Sequence, residues 1–168
     1  MKASRDLASI KSELFKISGK GGAKKILDEA KKFDDLISHY ENIPDSCFGL
    51  WLDIFSDSEL YNKQGMHIFF LNFQVCMYAI SDNQKEGALH AIVAHYSNYN
   101  NLETCWHVGD LVARCYETQK AFDFFKNLFH TSTAQGREGI ALGLEILGRQ
   151  DKSTKSKKMI EQVLRGDG

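Results

Sequence analysis

The chain has 168 residues, 43% hydrophobic and 26% charged, enough apolar material for one buried core and too much for wholesale disorder. Eleven Phe, six Tyr and two Trp supply bulky packing groups, and one proline, Pro44, leaves long helices unobstructed elsewhere. The net charge of −1 is unevenly spread: +5 over residues 1–33, −9 over 34–117 (three basic, twelve acidic side chains) and +3 over 118–168, and an acidic middle repels nucleic acid and steers toward basic partners.

In chain order, Leu7, Ile10, Leu14 and Ile17 recur at three and four residues and predict an amphipathic helix over 2–17. Gly19-Lys-Gly-Gly22 ends it, because consecutive glycines cost too much backbone entropy inside a helix. A second helix, 23–40, should bury Ile26, Leu27, Ala30, Phe33, Ile37 and Tyr40. Pro44 breaks the chain, and a short helix with Phe48, Leu50, Trp51, Leu52, Ile54 and Phe55 follows, apolar nearly all round and so buried. Ser56-Asp-Ser-Glu59 has the form of a capping box that starts another segment. Residues 66–80 suit a helix or a buried strand, and their length favours helix.

Asp82 or Asn83, with Glu86, is expected to cap a helix that buries Ala88, Leu89, Ile92, Val93 and Tyr96. Asn101 should cap helix 102–116. Helix 119–130 should face Ala121, Phe122, Phe125, Leu128 and Phe129 inward. Helix 134–148 carries Gly139 and Gly143 four apart, a spacing that lets a neighbour approach closely, and a last helix carries Met159, Ile160, Val163 and Leu164.

Sliding 102–116 back by 36 residues sets Leu102, Cys105, Trp106, Leu111 and Val112 on Met66, Phe69, Phe70, Val75 and Cys76. Sliding forward by 36 sets Val108 and Leu111 on Leu144 and Leu147, and Leu89 and Ile92 on Phe125 and Leu128. Such a period predicts an all-α fold, a short right-handed α-solenoid of antiparallel helix pairs with about eight helices. The expected plan is a single domain over 1–168, with a hairpin cap at 1–42, repeats over 48–150 and a capping helix at 153–165.

Chemistry-bearing motifs are sparse. Gly19-Lys-Gly-Gly-Ala-Lys-Lys25 lacks the spacing and the preceding strand of a phosphate loop. His90, His95 and His107 are not spaced to share a helical face, and there is no nucleophile elbow, so no catalysis, cofactor or metal is expected. Cys47, Cys76, Cys105 and Cys115 form no C-x-x-C pair and read as reduced core thiols. With no leader-like start and no long apolar run, the expected location is cytoplasmic.

The informative pattern is a stripe. Glu103, His107, Asp110, Arg114 and Glu117 recur along one face of helix 102–116, opposite an expected buried face from Trp106 to Cys115, with Asp110 placed to pair with Arg114. Thirty-six residues earlier stand His67, Leu71, Gln74, Tyr78 and Ser81. In a solenoid the two stripes would line one concave surface, with Glu103, His107, Asp110, Arg114, Glu117, His67, Gln74 and Tyr78 as its partner-binding residues. Tyr78, Tyr99 and Tyr116 are the candidate aromatic anchors.

The paired-helix spacing over 48–150 resembles HEAT-like repeats, without their proline in each first helix and without the signature residues of tetratricopeptide repeats. Small size, helical repeats, reduced thiols and an acidic middle are similar to bacterial immunity proteins of contact-dependent growth inhibition and related polymorphic toxin systems. That resemblance implies a basic nuclease toxin domain as partner and no catalysis by this chain. The alternatives are a scaffold or adaptor that holds a peptide in its groove, and a nucleic-acid-binding repeat protein using Lys16, Lys20, Lys24, Lys25 and Lys152 to Lys158.

Overall fold

A computed structural model describes residues 2–18 and 21–166, and every regular element among them is helical. In order they are α1 (Lys2–Lys16), α2 (Gly22–Ile37), α3 (Asp45–Ser56), α4 (Ser58–Tyr61), α5 (His67–Val75), α6 (Asp82–His95), α7 (Leu102–Cys115), α8 (Thr118–Leu128), α9 (Ala134–Gln150) and α10 (Thr154–Arg165), with 3-10 turns at Cys76–Ala79 and Tyr96–Asn98. The all-α class holds, and the strand alternative for 66–80 is gone. The described helices number ten and not about eight, the shortest of them the single turn Ser58–Tyr61. None of the described helices is long and apolar enough to cross a membrane. The chain divides into two compact units, Met1–His95 and Tyr96–Gly168.

In the first unit α1 packs on α2 and α3 through Leu7, Ile10, Leu14 and Ile17, all buried as predicted. Gly21, at φ 95°, leads into α2, while Gly19 and Lys20 of the predicted turn lie outside the described residues. The core is aromatic. Phe33 meets Trp51 edge-on at 5.0 Å, Trp51 meets Phe73 at 5.2 Å, and Phe55 stacks on Phe70 at 4.5 Å. These offset geometries suit ring quadrupoles. Trp51 Nε1–H donates to Asn72 Oδ1 at 3.0 Å, and Asn72 Nδ2 donates to Asp34, so the buried indole is satisfied through a buried amide.

That polar link explains departures from the apolar pattern. Asn72 faces inward at 9% exposure and Val75, three positions after it, turns outward at 65%, while Leu71, a member of the predicted surface stripe, is 36% exposed. Leu27 on α2 and Tyr40, three positions past its end, are exposed where burial was expected, and the buried position is Glu29, whose carboxylate accepts from Lys32 at 2.9 Å. On α6, Val93 is exposed and Leu89 half-buried. The α6 cap is Ser81 and not Asp82 or Asn83: Ser81 and Gln84 exchange backbone-to-side-chain bonds at 3.0 and 3.2 Å, a reciprocal capping box. Gln84 is buried because its amide also donates to the Ile43 carbonyl and to Asp45. Likewise Asp57, not Ser56, caps α4.

In the second unit α7 lies on α9, backbone against backbone. A Cβ on Gly109 would sit 1.9 Å from the Gly139 carbonyl oxygen, and one on Gly139 would sit 2.2 Å from that of Cys105. Gly139 and Gly143 therefore do what their spacing predicted, and Gly109 is the facing residue that the spacing did not disclose. Asn101 caps α7 through Thr104 N–H at 3.1 Å, as predicted, and Thr133 caps α9. Tyr96 is buried with its hydroxyl donating to the Gly136 carbonyl at 2.7 Å. On α8, Phe124 joins the core and Phe129 is only half-buried. On α10 only Val163 is buried among the four predicted positions, and Leu164 is 48% exposed. Of the C-terminal residues expected to fray, Asp167 and Gly168 lie outside the described residues.

Helix boundaries follow the 36-residue step: α5 with its 3-10 turn precedes α7, and α6 precedes α8, by that interval. The side-chain match is partial. Val108, Leu111, Leu144 and Leu147 are all buried, whereas the Leu111 counterpart Val75 is exposed.

Candidate interaction surface

Four of the five predicted stripe residues lie on α7, and Glu117, two positions past its end, is the N-cap of α8. Asn101 fixes where the helix starts, and the buried side of α7 is Thr104, Cys105, Val108, Gly109, Leu111, Val112 and Ala113. Glu103, Arg114 and Glu117 are exposed, and His107 and Asp110 are half-buried. Arg114 Nε–H donates to Asp110 at 2.6 Å, the predicted pair, and that hydrogen bond followed by the carboxylate's charge holds the guanidinium above its ordinary pKa. A pair this open contributes only about 0.3–0.5 kcal/mol.

Trp106 corrects the expected buried face. It is 42% exposed, beside Leu102 at 38%, because the close approach of α9 at Gly109 uses small residues and leaves no room for an indole on that side. The outward face of α7 is thus an indole and a leucine set among carboxylates. Two of the candidate anchors are lost: Tyr99 is fully buried and Tyr116 is 9% exposed.

His67, Gln74 and Tyr78 belong to the first unit, so the predicted residues fall into two groups, one in each unit. His67 and Gln74 are half-buried. Tyr78, in the 3-10 turn after α5, is 86% exposed. It borders a groove of about 270 Å³ with Asp34, Tyr40, Asn72, Val75 and Cys76. Burial, then the neighbouring Asp35, raise the Asp34 carboxyl above its ordinary pKa, and the hydrogen bond from Asn72 opposes them. A wider groove of about 540 Å³ between α1 and α2 is lined by Asp6, Lys32, Asp35, His39 and Tyr40, among others. Sequence periodicity missed Asp34, Asp35, Tyr40 and Val75. A signal for them existed: two consecutive aspartates close α2, against the helix dipole.

The four cysteines are free, Cys47 and Cys105 buried and the other two half-buried. Burial pushes the Cys105 thiol up to about 12. Among the described residues no three His, Cys, Asp or Glu side chains gather where they would hold a metal ion. Of the basic groups at the chain ends, Lys16 is tied to Glu13 at 3.2 Å. No family model, curated protein or solved structure matches the chain.

Proposed function

We propose that this chain is an immunity protein, which binds a cognate nuclease toxin domain in the cytoplasm and neutralises it by laying an acidic surface over its basic cleft. The observation that carries the reading is Trp106, an indole left 42% exposed on the outward face of α7 between Glu103 and Asp110. Interfaces concentrate binding energy in such aromatic anchors, while surrounding carboxylates set partner choice and encounter rate. The −9 charge of residues 34–117 gives the surface a sign that suits a nucleic-acid-cleaving cleft and opposes nucleic acid itself. The reading assigns the chain no reaction of its own.

The test is co-expression in bacteria with the variable C-terminal domain of a large secreted protein encoded immediately upstream. The expected result is restored growth and a stable one-to-one complex. Trp106→Ala should weaken the complex about thirtyfold, the effect of losing a hot spot. Charge reversal at Glu103 and Asp110 to Lys should slow association and reduce rescue, with the helical circular dichroism unchanged. Full rescue by the charge-reversed variant would overturn the use of this surface. Capture of several unrelated proteins in place of one toxin domain would favour the adaptor reading.

A further inference from the structure

Two helices of the first unit end in opposite ways. At the C-terminus of α1 the chain supplies its own cation: Lys63 Nζ donates to the carbonyls of Leu14, Phe15 and Ile17 at 2.8, 3.1 and 2.7 Å. A cation there satisfies terminal carbonyls and the negative helix pole together. At the C-terminus of α2 no basic residue lies in the last turn, and Asp34 and Asp35 stand there instead. Negative charge at that pole is unfavourable. Neither carboxylate forms an ion pair among the described residues, and Lys32 nearby is held by Glu29 at 2.9 Å.

Asp34 is nonetheless held in place. The amide of buried Asn72, itself anchored by the Trp51 indole, donates to its Oδ1. The same carboxylate lines the groove of about 270 Å³ together with Tyr40, Val75 and Tyr78. Tyr78 and Val75 are left 86% and 65% exposed, and Tyr40 39%. A drug-sized ligand usually occupies about 300–1,000 Å³, so this groove is of a size for one long side chain. An exposed carboxylate with no ion pair among the described residues, beside large apolar groups left in water, offers an incoming cation a charge and an apolar wall together.

We propose that this groove receives an arginine side chain from the protein partner, its guanidinium on Asp34 and its aliphatic stem against Val75, Tyr40 and Tyr78. Arginine fits better than lysine because its planar fork bonds a carboxylate through two N–H groups and also stacks on tyrosine faces. The inference rests on the reading of the partner as a basic protein, and it names where one of that partner's arginines goes.

The test titrates the ¹⁵N-labelled full-length protein with N-acetyl-arginine amide, and separately with N-acetyl-glutamine amide, followed by NMR. Arginine amide should shift the amides of residues 34–40 and 72–79, and glutamine amide should not. Asp34→Asn should weaken the arginine response about tenfold or more, as loss of a charge-assisted bidentate contact does. Tyr78→Ala, a change at a side chain already in water, should weaken it about threefold with an unchanged melting curve. Equal shifts with glutamine amide, shifts confined to 102–117, or an unaltered response in both variants would overturn the proposal. Growth rescue decides the parent reading separately. Rescue that survives the Asp34 and Tyr78 changes, with no arginine shifts in the groove, overturns the groove alone. Arginine shifts in the groove without rescue overturn the toxin reading and leave the groove as a site for another basic protein.

Discussion

The first unit keeps its helices apart with rings, and the second brings two of them together by leaving side chains out. Around Trp51, the rings of Phe33, Phe48 and Phe73 lie at centroid distances of 5.0 to 6.4 Å, so the space between helices is filled by aromatic volume. Between α7 and α9 the glycines at 109, 139 and 143 let backbone meet backbone, and stability comes from many close dispersion contacts. The difference predicts opposite weaknesses. The first unit should suffer from lost volume and the second from added volume.

The largest effect expected is in the first unit. Trp51→Ala should cost about 3–5 kcal/mol in urea denaturation, because it opens a cavity and leaves the Asn72 amide without its indole partner. Hydrogen exchange should localise the loss to α2, α3 and α5. Gly109→Ala comes next, at about 3 kcal/mol, the upper end of overpacking costs, since the added methyl meets a backbone carbonyl that cannot rotate away. Its loss of exchange protection should appear in α7 and α9. A Gly109→Ala protein as stable as the parent would break the contrast.

Alkaline pH sharpens the comparison further. Burial raises Cys105 from an ordinary 9.0 to about 12, and burial also raises Tyr96, both in the second unit. Between about pH 9 and 12 the unfolded chain has lost the Cys105 proton that the folded chain keeps, so stability falls as pH rises, by up to about 1.4 kcal/mol per pH unit for that group. Cys105→Ala should flatten this slope in denaturation curves collected from pH 8 to 11. Gly49→Ala is the counterpart to Gly109→Ala. Nothing lies within 4 Å of the added methyl, so helix α3 should gain about 0.5–1 kcal/mol. The smallest effect is Asp110→Asn, which breaks the pair with Arg114 and should cost about 0.3–0.5 kcal/mol, vanishing in molar salt.

Much of the helix pattern was legible in sequence because it depends on neighbours along the chain. Leu7, Ile10, Leu14 and Ile17 face one way on any helix, and Asn101 caps α7 with its own side chain. The polar stripe from Glu103 to Arg114 and its Asp110–Arg114 pair are of the same kind. Errors came where a partner distant in sequence decided the outcome. Trp106 was expected inside because it is large and apolar, but α9 approaches so closely that only small groups fit. Val75 was expected inside as the counterpart of Leu111, but it stands 65% exposed, three positions after Asn72, which is claimed by Trp51, 21 residues away. Tyr99 and Tyr116 were expected outside as anchors and are buried instead.

By itself the sequence determined the helical class, most helix starts, the 36-residue rhythm, the sign of the middle segment and the glycine spacing that brings α9 close, since all of these follow from residue order and backbone geometry. Tertiary structure alone decided which large side chains remain in water, and that Lys63 closes α1 while α2 ends on two aspartates that pair with no cation among the described residues. Those outcomes depend on which groups from remote parts of the chain compete for the same space and the same hydrogen bonds, and periodicity along one helix carries no record of that competition.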